Sequence, residues 1–258
     1  MKCLVAVSTC YDFERNGSNK ILRDCWLEDC AAVGLDYKLF IGEGQGAESS
    51  WLDSDIVFLH EVDDGYGSLS YKTQASLRWA FDRDYDFVYR CFPDTYCRPE
   101  RLIQCGFEAY DYYGDFRGEH CTPDNYPSGG PGYWTSKKAY SLLLDAPITG
   151  SEAMGKHTKV WPYAEDLWAG QVLNWHRDIG LKYFDDNRFI NKGTNQDGPL
   201  ATNAIISTHL SYPDRYYPGK MKEKHQAWLN SAKALGLTAS SVDFQKDISG
   251  VIKTATPA

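Results

Sequence analysis

The sequence predicts an α/β protein with a mixed, mostly parallel central sheet carrying helices on both faces. Three observations predict it. Short apolar runs alternate with helical patterns, and in the first half their order is β-α-β-β-α-β, which implies parallel strands joined by crossovers. The 258 residues, 43% of them apolar, are enough to bury one large core.

"CLVAVST" (3–9) reads as the first strand, and "NKILRDCWLEDCAA" (19–32) as a helix with Ile21, Leu22, Cys25 and Trp26 on one face. "DYKLFIG" (36–42) and "DIVFLHE" (55–61) are strand-like. Ser68 or Ser70 is placed to cap a helix through Asp82 whose shared face holds Leu69, Thr73, Leu77, Ala80 and Phe81. "DFVYRCF" (86–92) is the next strand. "CTPDNYPSGGPGYWTS" (121–136) is rich in Gly, Pro and aromatics, and "KKAYSLLLDA" after it makes a short helix. "AEDLWAGQVLNWHRD" (164–178) predicts a further helix, and "LKYFDD" (181–186) and "NAIISTHL" (203–210) predict late strands. The last residues, after Gly236, are expected to fray.

A net charge of −8 disfavours general nucleic-acid binding, which needs clustered Lys and Arg. No apolar run approaches a membrane span. The short apolar stretch after Lys2 ends without a small-residue cleavage site, so it reads as a strand rather than a signal peptide, and a cytoplasmic location is expected. The eight cysteines (Cys3, Cys10, Cys25, Cys30, Cys91, Cys97, Cys105, Cys121) form no C-x-x-C pair, and reduced thiols are expected.

Four stretches carry candidate chemistry. In "RCFPDTYCRPERL" (90–102), Asp94 follows a proline at the end of a strand. It reads either as ordinary turn chemistry or as a carboxylate at the sheet edge where ligands sit in α/β proteins. "GYGSLSYKT" (65–73) has Tyr71, not glycine, before Lys72 and is no Walker loop, so Lys72 is either solvated or reaches a diphosphate. Glu165 and Asp166 open a helix, where the dipole favours acids. One would cap while the other faces a cleft as a general base. His209 ends an apolar strand, as a structural residue or, with a carboxylate brought near, as a hard-metal ligand. No G-x-S-x-G, H-E-x-x-H or Cys-His pattern supports covalent hydrolysis.

Four of the segments, in order, resemble the inverting beta-1,3-glycosyltransferase family that includes the beta-1,3-galactosyltransferases and Fringe. The resemblance runs roughly from Leu4 to Leu210. "FERNGSNKILRDCWLED" is similar to that family's E-R-R-x-A-I-R-x-T-W helix, with Arg15 and Trp26 in register. "VDDGYGSLSYKTQASLRWAF" resembles D-x-Y-x-N-L-T-x-K-T-x-x-x-x-x-W at Asp64, Tyr66, Leu69, Lys72, Thr73 and Trp79. "YPSGGPGYWTSKKAYSLL" resembles the Y-P-x-Y-x-x-G-x-G-Y-x-x-S acceptor loop, and "AEDLWAG" resembles E-D-V-Y-x-G at Glu165, Asp166 and Gly170. Where the family has K-x-D-D-D, this chain has R-C-F-P-D: Arg90 stands for the lysine, Asp94 for the last aspartate, and Phe92 and Pro93 replace the other two acids.

The resemblance implies a GT-A fold in a single domain over 1–258, with a donor half (1–105), an acceptor half (106–236) and a tail (237–258). It implies metal-dependent inverting transfer of a sugar from a nucleotide sugar, UDP-linked by the family's preference, to a glycan hydroxyl, giving a beta linkage. Mn2+ or Mg2+ would lie on Asp94 and His209. Asp166 would be the base, with Glu165 as fallback. Ser8, Thr9, Arg15, Asp64, Lys72, Arg90 and Asp94 would meet the donor, and Tyr126, Gly130, Tyr133, Trp134 and Trp161 the acceptor. The alternative is a carbohydrate-binding pseudoenzyme, because two motif acids are lost. A doubly wound nucleotide-sugar-modifying enzyme lacks its early glycine fingerprint in "STCYDFERNG".

Overall fold

A computed structural model describes residues 1–43, 55–116, 126–148, 164–190, 205–210 and 218–234. Strand β1 (Cys3–Ser8) lies inside the main sheet, next to its central strand. After it come the short helices α1 (Tyr11–Arg15) and α2 (Ser18–Leu22), strands β2 (Asp36–Glu43) and β3 (Ile56–Asp63), and helix α3 (Leu69–Phe81). Next are β4 (Phe87–Cys91), β5 (Thr95–Cys97), α4 (Pro99–Gln104), β6 (Tyr112–Gly114), β7 (Tyr133–Ser136) and α5 (Lys137–Leu143). The chain continues through α6 (Glu165–Trp175), β8 (Tyr183–Asp185), β9 (Phe189–Ile190), β10 (Ser207–His209) and α7 (Pro218–Ala234).

The seven-stranded sheet has the order β3-β2-β1-β4-β7-β6-β8. β1 runs parallel to β2 and β4, and β7 alone is antiparallel to its neighbours. The mostly parallel sheet predicted from the alternation of elements is therefore present. A second sheet, β5-β10-β9, sits beyond the end of β4.

β1 is buried on both sides. Cys3, Val5 and Val7 pack into one core with Trp26, Leu27 and Leu102, while Leu4 and Ala6 pack into the other with Leu77, Ala80 and Trp168. Burial on two faces is why such a strand reads as a continuous apolar run. The single helix expected over 19–32 is instead broken: α2 passes into a π turn, Arg23–Leu27, and then a 3-10 turn, Glu28–Val33. The wide π turn lets three successive residues, Cys25, Trp26 and Leu27, all enter the core, which a regular apolar stripe of an α-helix does not allow.

No described helix is long and apolar enough to cross a membrane. The seven described cysteines carry free thiols. Trp161, Cys121 and the tail after Gly236 lie outside the described residues.

Candidate active site

The site is built at the C-terminal edge of β4. Past Cys91 the chain makes a tight turn in which Thr95 N–H bonds Phe92 O at 3.0 Å and the Thr95 hydroxyl accepts Phe92 N–H at 3.1 Å. Pro93 takes the turn position that its fixed φ suits, and Asp94 follows it. The turn and the ligand readings of Asp94 are thus compatible. β10 pairs antiparallel with β5, setting His209 opposite Thr95, and Leu210 N–H bonds Asp94 O at 2.9 Å. That register brings His209 Nε2 to 3.1 Å from Asp94 Oδ2.

The pair fits a hard divalent cation. Two ligands at about 2.1 Å and right angles lie roughly 3 Å apart, and carboxylate with imidazole suits Mn2+. No group of three or more His, Cys, Asp or Glu side chains that could hold a metal occurs among the described residues. A cation here would take its other ligands from substrate oxygens and water.

α6 brings the acids. Glu165 is 2% exposed, with Oε2 accepting the Tyr133 hydroxyl at 2.7 Å and Oε1 lying 2.5 Å from Arg90 Nη1. Burial pushes the Glu165 carboxyl up to about 7; the Arg90 charge pulls the other way and the Asp166 charge adds to the push. Asp166 is only half-buried. Its Oδ2 accepts Gly129 N–H at 2.9 Å and its Oδ1 accepts Leu167 N–H at 2.9 Å. Gly129 lies so close to Glu165 Oε1 that a Cβ there would push the carboxylate aside, and Arg90 Nη1 would be only 3.1 Å away. Tyr66, just before α3, is 74% exposed. Its hydroxyl is pushed up first by partial desolvation and then by the negative charges of Asp166 and Asp94.

Several predicted contacts are corrected. Lys72 is neither solvated nor available to a diphosphate: its ammonium bonds Thr9 O at 2.8 Å, Asp64 O at 2.7 Å and Asp64 Oδ1 at 2.6 Å, which fills its three donors. Asp64 also accepts Tyr11 N–H at 2.6 Å and Gly42 N–H at 2.8 Å. Thr9 turns its hydroxyl to Asn19 at 2.8 Å. Together they tie the ends of β1, β2 and β3 to α3, and these side-chain groups are engaged within the protein. Ser8 is buried, and its hydroxyl finds no partner among the described residues.

Arg90 is 0% exposed, and its guanidinium lies 3.5 Å from the centre of the Phe92 ring. It therefore meets Glu165, not a nucleotide. Glu165, enclosed by Arg90 and Tyr133, is poorly placed to take a proton from an acceptor. Trp134 is a core residue stacked on Phe107 with centroids 3.9 Å apart, and Tyr133 is buried on the opposite face. Neither forms a sugar platform. Tyr126 is half-buried and presses on Gly170, where a Cβ would clash with it, while Gly130 presents its carbonyl to Thr95. Arg15 is exposed at the end of α1. Thr95 and Gly129 carried no recognisable signal in the sequence.

No protein-family model matches the chain. No curated protein matches it. Similar solved structures include a glycosyltransferase involved in glycosylation of the major capsid of PBCV-1 (12% identity, 87% of this chain, 98% of that chain, TM-score 0.47). Another is the galactosyltransferase LgtC in complex with donor and acceptor sugar analogs (13% identity, 90% and 100% covered, TM-score 0.48). The inositol-1-phosphate CTP transferase of T. maritima is similar to the same degree (14% identity, 92% and 98% covered, TM-score 0.45). At such scores the likeness is architectural and assigns no reaction.

Proposed function

We propose that the chain is a glycosyltransferase of GT-A type, moving a sugar from a nucleotide-sugar donor, UDP-linked by family resemblance, to a hydroxyl acceptor with inversion. The observation that carries this reading is the convergence of the Asp94–His209 pair and the half-buried Asp166 at one sheet edge, linked through Thr95 and the Gly129–Gly130 segment. Open α/β sheets bind ligands at this edge.

In this reading Asp166, aimed by Gly129 and Leu167 N–H groups, takes the proton of the acceptor hydroxyl. The acceptor oxygen attacks the anomeric carbon as the bond from that carbon to the donor diphosphate breaks, and the electron pair leaves with the diphosphate. Asp94 and His209 would hold a divalent cation, whose chemistry is to offset the charge that the departing diphosphate gains. Glu165, held by Tyr133 and Arg90, fixes the start of α6 and thereby the direction of Asp166. The 1–105 segment supplies the cation pair's carboxylate, and the 106–236 segment supplies the base.

The test is thermal stability with Mn2+, with UDP, and with both. Ligand at about 100 times its dissociation constant adds roughly 2.7 kcal/mol, so a shared site gives a combined shift larger than the sum of the two. Asp94→Ala and His209→Ala should each abolish the excess while folding normally. They should weaken cation-dependent UDP binding by at least the roughly 10–100-fold that loss of a mere outer-shell partner costs. Purely additive shifts in the wild-type protein would refute the shared site.

A further inference from the structure

Asp94 and Asp166 come from separate elements, yet a chain of bonded groups connects them. Thr95 is fully buried, follows Asp94 directly, and is registered opposite His209. Its carbonyl accepts the Trp26 indole N–H at 3.1 Å, which anchors the turn to the core. Its hydroxyl accepts Phe92 N–H at 3.1 Å and donates to Gly130 O at 2.7 Å. The preceding residue, Gly129, donates its N–H to Asp166 Oδ2 at 2.9 Å. A single stretch of main chain thus carries both contacts, one to the turn that holds Asp94 and one to the proposed base.

We propose that Thr95 is a positioning residue that couples the Asp94–His209 pair to Asp166 through the Gly129–Gly130 segment, holding the two at a fixed separation. This rests on the glycosyl-transfer reading for its consequence, though not for its geometry. The hydroxyl is needed as a donor. In this partly buried loop, Gly130 O would otherwise lose the bond to the fully buried Thr95 hydroxyl, and a polar group shielded from water is costly to leave unmet. Gly129 brings no side chain to stiffen the loop, and a Cβ there would displace the Glu165 carboxylate. The loop's position therefore depends on its bonds. Proton abstraction is sensitive to such placement: a 1 Å error can cost about 10²-fold in rate.

The experiment compares Thr95→Val, which keeps the shape without the hydroxyl, with Thr95→Ser, which keeps the hydroxyl. Hydrogen exchange at the Gly129 amide is read alongside kcat and the KM for a UDP-sugar. In Thr95→Val, Gly129 exchange should quicken by roughly tenfold, the worth of one buried bond. Turnover should fall while the donor KM moves little, and Thr95→Ser should restore both. Unchanged exchange at Gly129 in Thr95→Val, or a serine variant as defective as valine, would overturn the coupling. If exchange and serine rescue behave as expected but the wild-type protein transfers sugar from no nucleotide donor, the coupling stands and the transfer reading falls. Should Thr95→Val not fold, Thr95→Ser against Thr95→Ala decides by the same readouts.

Discussion

Lys72–Asp64 and Arg90–Glu165 are both buried ion pairs at the C-terminal edge of the same sheet, but the first is closed and the second is open. Lys72 has an acceptor for each of its three N–H donors, and the Asp64 carboxylate takes two backbone amides besides. Arg90 has five N–H donors. Its Nη1 lies close to Glu165 without hydrogen-bond alignment, and its Nε and Nη2 find no acceptor among the described residues. The closed pair joins strand ends to a helix and has no chemistry left to offer. The open pair leaves burial uncompensated, visible in a Glu165 carboxyl pushed up to about 7. Groups held at such a cost tend to cluster at functional sites, and Asp166 is the very next residue.

The largest effect expected from this contrast is on stability. Lys72→Met removes the counter-charge from a largely buried carboxylate and strands Thr9 O and Asp64 O without a donor. Breaking a buried pair from one side costs about 3–5 kcal/mol. Arg90→Met should cost less near neutral pH, because Glu165 can take up a proton instead of remaining a buried unpaired charge. Urea unfolding of the two variants at about pH 7 makes the comparison. Equal losses would mean that the Arg90 pair is as closed as the Lys72 pair.

The same contrast shows where sequence reading succeeds and stops. β1 and β4 were legible because parallel strands buried on both faces are apolar runs set between polar turns, and β2 and the edge strand β3 because each opens or centres on a run of apolar residues. β5, β6, β7 and β9 are two to four residues long, too short for a period to declare itself. The block containing β7 reads in the sequence as a sugar-facing loop because it is rich in Gly, Pro and aromatics. The strand's two-residue alternation instead sends Tyr133 to one core and Trp134 to the other. Helix α7 was missed because few of its residues mark an apolar face, although a proline opens it.

Within the proposed site, the sequence could single out Asp94, His209, Glu165 and Asp166 through position and resemblance, and the fold brings His209 against Asp94. Lys72 was misread because three oxygens converging on one ammonium, from two separate strand ends, have no local signature. Thr95 left no trace, since its hydroxyl's partner lies 35 positions away.

The next effect in size is on rate. If the open pair exists to hold α6 and the Gly129 loop in place for Asp166, then Asp166→Asn keeps the size of the side chain but loses the proton acceptor and, because an amide nitrogen cannot accept, one of the two backbone N–H bonds that aim it. Transfer should fall by roughly 10²–10⁴ with donor affinity nearly unchanged. The product decides the stereochemistry: inversion turns an alpha-linked UDP-sugar into a beta glycoside, read from the anomeric proton coupling for gluco- or galacto-configured sugars. An alpha product would remove Asp166 from the role of base in a single displacement. Full activity in Asp166→Asn would do the same.

The smallest effect is a slope, and it tests directly whether the Arg90–Glu165 pair is open. The Glu165 carboxyl rises from an ordinary 4.5 to about 7 in the folded protein. Between those values the folded chain keeps a proton that the unfolded chain has released. Wild-type stability should therefore fall as pH rises through this window and level off above it, by at most about 1.4 kcal/mol per pH unit for one proton. Glu165→Gln cannot titrate. It leaves Arg90 charged at every pH, which offsets the variant's stability by a constant without adding a slope. The stability of Glu165→Gln relative to wild type should thus improve steadily from about pH 5 to about pH 7 and then stay flat, as urea unfolding at steps across that range would record. Parallel curves for the two proteins would mean that Glu165 stays ionised throughout. Arg90 would then compensate it as fully as Lys72 compensates Asp64, and the distinction between the two pairs would disappear.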